Sequence, residues 1–115
     1  FYNWAFNLHK NGTELAAKWA AIPDNTDILI THGPAHGILD WTVSGQRVGC
    51  EDLFHRIMEV QPKIHVCGHI HSGNGYTFDG QTHSFNVSVL NERYSFEYKP
   101  FTFEWDKETN EIEFI

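Results

Sequence analysis

The chain has 115 residues, 41% of them hydrophobic and 20% charged, which suits one small globular domain and excludes a disordered chain. Its formal net charge of −7 argues against a nucleic-acid or membrane-surface binder acting through a basic patch. No apolar run approaches the ~20 residues of a membrane-spanning helix, and two cysteines, Cys50 and Cys67, are too few for a disulfide scaffold.

In chain order, NGTELAAKWAAIP reads as a helix: Thr13 is the expected N-cap, Glu14 suits the first turn, and Leu15, Trp19 and Ile22 form one apolar stripe before Pro23. DILITHGP follows as a short buried strand over Ile28 to Thr31, running into His32. From Pro34 to Gly49 the glycine-punctuated sequence predicts an irregular loop. CEDLFHRIMEVQP is a second helix, with Cys50, Leu53, Phe54, Ile57 and Met58 on one face and Glu51 and Asp52 in the first turn. KIHVCG is the next strand and again runs into a histidine, His69. Helix, strand, helix, strand predicts a parallel pair joined by a crossover helix.

The remainder is β in character. YTFDGQTHSFNVSVL predicts a hairpin turning at Asp79-Gly80, and FTFEWDKETNEIEFI a second one turning around Lys107 to Asn110. The fold class expected is α/β: parallel strands with crossover helices, followed by antiparallel C-terminal hairpins whose ribbon joins the sheet.

Both predicted parallel strands end in histidine. Ligands of open α/β sheets bind outside the carboxyl ends of the strands, so His32 and His69 fall on one edge. His69 and His71 share parity, and in an extended segment they point to the same side. Three converging imidazoles make a candidate metal site for zinc, iron or copper, with His36 a candidate substrate contact from the following loop. His9, His55 and His83 read as surface or half-exposed residues, and His65 as one that packs or hydrogen-bonds. Cys67 shares the parity of His69 and admits a mononuclear zinc site, although a buried structural thiol is the default for that position.

The segments DILITHGPAHGILD, GCEDLFHRIMEVQPKIHVCGHIHSGNG and FNVSVLN, taken together, resemble the C-terminal half of a calcineurin-like metallophosphoesterase, in the branch of the metallophosphoesterase-domain proteins. The resemblance runs from about Phe6 to the end. It implies half of an α/β/β/α sandwich, and a metal-dependent phosphoester hydrolase, with phosphodiesters such as cyclic nucleotides as small-molecule substrates. Its cofactors are two divalent ions (manganese, iron or zinc). The resemblance assigns His32 and His69 to the second metal and His71 to the first.

The same family carries Asp-x-His, Gly-Asp and Gly-Asn-His motifs in its N-terminal half. None of these occurs here. Residues 1–115 are therefore expected to be the C-terminal part of one domain, without the bridging aspartate, the asparagine ligand or the catalytic histidine. The start at Phe1, with Met58 the single methionine, leads to the same expectation. Alone, the chain should bind at most one ion weakly, and should associate with the missing half or with a second copy of itself. No membrane partner is expected, and the two thiols read as reduced in a cytoplasmic protein. The competing reading is a catalytically inactive binding module on the same scaffold.

Overall fold

The computed structural model describes residues 12–115. Helix α1 spans Thr13–Ala20, strand β1 Ile28–Ile30, helix α2 Glu51–Val60 and strand β2 Ile64–Cys67. A single 3-10 turn at His71–Gly73 leads into β3 (Gly75–Phe78), β4 (His83–Asn86), β5 (Phe103–Asp106) and β6 (Glu111–Phe114). The result is a mixed α/β architecture. β1, β2 and β4 run parallel, β3 is antiparallel to β4, and the spatial order is β1-β2-β4-β3.

The predicted crossover is present, with α2 between β1 and β2. α2 forms because Leu53, Ile57 and Val60 recur at helical spacing and are all buried. Leu53 and Ile57 pack with Ala35 into a core joined by Trp19, Ile22, Leu29 and Phe54. Arg56 ties the two helices together: its guanidinium donates to the carbonyls of Trp19 and Ile22 at the end of α1 and to the Asp24 carboxylate.

Several local expectations change. Thr13 is the first helical residue and Gly12 takes the cap position. Cys50 takes the N-cap position of α2 and still packs against the core, its thiol accepting a hydrogen bond from the Trp19 indole at 3.3 Å, whereas Met58 is exposed. β1 is not a buried strand: it pairs only with β2 among the described residues, leaving Ile28 49% and Ile30 74% exposed.

The hairpin at Asp79-Gly80 forms, with a four-residue connection, but its second strand does more than close a hairpin. β4 also pairs in parallel with β2 and is buried along its whole length. That burial corrects the surface reading of His83, which is 4% exposed. Its Nε2–H donates to Asn110 O at 2.6 Å, so its Nδ1 accepts from the Tyr76 hydroxyl at 2.7 Å. The second hairpin, β5–β6, is a separate two-stranded sheet: among the described residues it shares no strand pairing with the first, and only bonds to its turn, such as His83 Nε2–H to Asn110 O and Asn110 Nδ2 to Gln81 O, cross to it. It docks through rings: Phe103 stacks on Phe85 at 4.8 Å, and Phe101 and Phe114 meet Phe85 edge-on. His9 lies outside the described residues, and His55 is exposed as expected. No helix among the described residues is long and apolar enough to cross a membrane.

Candidate functional site

The carboxyl ends of β1 and β2 lie side by side because the strands are parallel and in register, Ile30 opposite Val66. The main chain continues that pairing past the strands: Thr31 N donates to Val66 O at 2.9 Å and Gly68 N to His32 O at 3.0 Å. As a result the rings of His32 and His69 stand 4.7 Å apart, tilted by 36°. Burial first, then the neighbouring imidazoles of His32 and His71, hold His69 below the ordinary histidine value. It is therefore neutral near pH 7, the form in which imidazole ligates metals.

His71 joins the group for a different reason than parity. The segment is not extended: His69 sits in the left-handed region at φ 70, and His71 opens the 3-10 turn. A non-glycine residue there is uncommon, with histidine among the more tolerant types. His71 Nδ1–H donates to Asn91 O at 2.9 Å. In the neutral ring that bond leaves Nε2 as the lone-pair nitrogen, the arrangement metal-bound histidines use. The Tyr94 ring meets His71 edge-on at 5.4 Å. His69 and His71 share a cavity of about 350 Å³ whose other walls are Thr42, Val43, Ile70, Glu92 and Tyr94. A larger cavity, about 1000 Å³, lies elsewhere, between His83 and the β5–β6 turn.

His36 is not part of that cavity wall. Its backbone N–H bonds Cys50 O at 3.0 Å, and its ring is half-buried in the loop after β1. Cys67 is 4% exposed, with its thiol pushed up to about 12 by burial and then by the Asp40 carboxylate. That is the buried structural thiol, not a thiolate poised for zinc. Both cysteines are free.

The loop that frames the histidines is held by two residues sequence reasoning did not single out. Asp40 is fully buried. Burial alone would raise its carboxyl, but N–H groups of Gly37 and Gly49 and the Arg47 guanidinium, at 2.9, 2.9 and 2.8 Å, outweigh it and hold it low. Asn86, also fully buried, donates to Leu39 O at 3.1 Å and Ile70 O at 2.9 Å. The signal for Asn86 was a β-averse residue inside the run SFNVSV. Asp40, flanked by Leu39 and Trp41, carried a similar one.

Imidazoles 4.7 Å apart, one of them neutral, and a third in the ligating tautomer suit a divalent ion. Yet among the described residues no three histidine, cysteine, aspartate or glutamate side chains surround a common point that could hold one. The described residues therefore fit part of a ligand set and not a closed metal site.

No protein-family model matches the chain. Individual proteins do. The chain is 50% identical over 96 residues, 82% of its length, to metallophosphoesterase domain-containing protein 1 of Homo sapiens and equally to that of Mus musculus. It is 44% identical over 103 residues, 89% of its length, to the UPF0046 protein T07D4.2 of Caenorhabditis elegans. It spans 29% of the mammalian proteins and 26% of the nematode one. Identity at that level over nearly all of a chain whose strand-end histidines converge has one reading: the chain belongs to the family of metallophosphoesterase domain-containing proteins and corresponds to a part of their length.

Proposed function

We propose that this chain supplies part of the active centre of a metal-dependent phosphoester hydrolase acting on phosphodiesters. The observation that carries the reading is the juxtaposition of His32 and His69, 4.7 Å ring to ring where two parallel strands end. In this reading those two histidines serve one ion of a two-ion centre, His71 serves the other through Nε2, and His36 approaches the substrate. Residues 1–115 are the C-terminal part of a single calcineurin-like α/β/β/α domain. The bridging aspartate, the asparagine ligand and the catalytic histidine come from the remainder.

When bound, such ions supply a hydroxide nucleophile at neutral pH and offset the charge on the phosphoryl group. They also reconcile a net charge of −7 with an anionic substrate. The chain's own contribution is to present three imidazole nitrogens, and its loops set where those nitrogens stand. The edge of β1, unpaired among the described residues, and the exposed Ile28 and Ile30 support a covering partner, the rest of the domain or a second copy of the chain.

The test is a titration of residues 1–115 with manganese and zinc, alongside hydrolysis of bis(p-nitrophenyl) phosphate. The chain alone should hold at most one ion, weakly, and show no turnover. Two tightly held ions, or turnover by these residues alone, would overturn the division of labour. A monodisperse monomer in sedimentation would remove the covering partner.

A further inference from the structure

A further imidazole bonds the side chain of the residue before His32 and has no part in the assignments above. His65 is on β2, 1% exposed, between Leu29 of β1 and Ser84 of β4 in register. Its Nε2 is 2.9 Å from the hydroxyl oxygen of Thr31. That hydroxyl in turn donates to the carbonyl of Gly33 at 2.7 Å. Thr31 and Gly33 are the residues on either side of His32.

The direction of this relay follows from counting protons. A hydroxyl has one proton, and a carbonyl oxygen can only accept. The Thr31 proton is committed to Gly33, so His65 Nε2–H must donate to Thr31. The tautomer is thereby set, and Nδ1 is left buried and without a hydrogen-bond partner among the described residues. An unsatisfied buried nitrogen is unfavourable, and an aliphatic residue on this strand would avoid it. Among the described residues the Nε2–H···Oγ1 bond is the one hydrogen bond the His65 ring makes.

We propose that His65 is a positioning residue: acting through Thr31, it locks the Thr31–His32–Gly33 turn and so sets the His32 ring against His69. β1 has ended at Ile30, and the pairing that continues past it fixes the main chain of His32 but not its side chain. The bonds Thr31 N to Val66 O and Gly68 N to His32 O hold the main chain on either side, but the Thr31 hydroxyl bond bridges across His32 itself. The donor from His65 selects the Thr31 rotamer that makes the bridge, one of the staggered wells open to a β-branched side chain. Its value to metal binding rests on the reading of His32 and His69 as ligands. The ring placement does not.

Four variants and two readouts separate these. Thr31→Ser and His65→Gln keep a hydroxyl and an N–H donor; Thr31→Val and His65→Leu remove them. The first readout is the nuclear Overhauser contact between the His32 and His69 rings in metal-free protein. The second is manganese affinity by calorimetry. The ring contact should persist in Thr31→Ser and His65→Gln and vanish in Thr31→Val and His65→Leu, with affinity falling about tenfold in the latter two. A folded Thr31→Val that keeps the ring contact overturns the proposal, whatever the metal does. No manganese binding by any form, wild type included, overturns the metal reading and leaves the ring contact to decide this one. If His65→Leu does not fold, the Thr31 pair decides alone.

Discussion

The carboxamide of Asn86 donates to the carbonyl of Ile70 at 2.9 Å, and Ile70 is the residue between His69 and His71. The same amide group reaches Leu39 O at 3.1 Å, and its oxygen accepts from Ser88 N at 3.1 Å. One buried side chain thus joins the histidine turn, the β1–α2 loop and the exit of β4. Asn86→Asp places an acceptor against two carbonyl acceptors and should destabilise the chain by roughly 3 kcal/mol. Urea unfolding gives the energy. Hydrogen exchange should show residues 69–74 opening first, and unchanged protection there would refute the link.

The histidine turn also lies too close to its neighbours to carry a side chain at Gly73. A Cβ on Gly73 would stand 2.2 Å from Leu39 O and 2.7 Å from Asn86 Nδ2. A Cβ on Gly49 would stand 2.3 Å from Ala35 O. Both obstacles include backbone, which cannot rotate away. Gly73→Ala and Gly49→Ala should each cost about 3 kcal/mol, whereas Gly33→Ala, with nothing within 4 Å, should be near neutral. Thermal melts of the three variants settle the order.

His65 makes stability depend on pH. Burial pushes its pKa down to about 4, while in the unfolded chain it protonates below about 6.5. Between those values the unfolded state binds the extra proton, so the contribution is complete above pH ~6.5. It is lost as pH falls toward 4, by up to about 3 kcal/mol. Urea midpoints of wild type and His65→Gln should diverge across that window. A difference between them that is flat from pH 4 to 7 would contradict the assignment.

Asp40 is the anchor of the 34–49 loop. Asp40→Ala removes the acceptor of two backbone N–H groups and the partner of Arg47, and should cost about 3 kcal/mol. Arg47 is one-third exposed and stacked on Trp41 at 4.0 Å, so Arg47→Met should cost closer to 1 kcal/mol. Equal losses for the two would mean that the ion pair, and not the backbone N–H bonds, holds the loop.

The elements themselves were legible in the chain. Apolar spacing located α1 and α2, β-rich runs located β1, β2 and both hairpins, and histidines at two strand ends marked the rim, because these signals are local and periodic. What only the tertiary structure decided is which surfaces meet. Strand order made β4 central and buried His83, ring packing carried the β5–β6 ribbon where strand pairing with the sheet was expected, and a left-handed His69 replaced the extended segment that parity assumed. Asn86, Asp40 and the His65–Thr31 relay join residues 7 to 47 positions apart, and no local pattern encodes such a bond. Chain periodicity therefore reports where a histidine stands along a strand, while burial and long-range hydrogen bonds decide which way it faces.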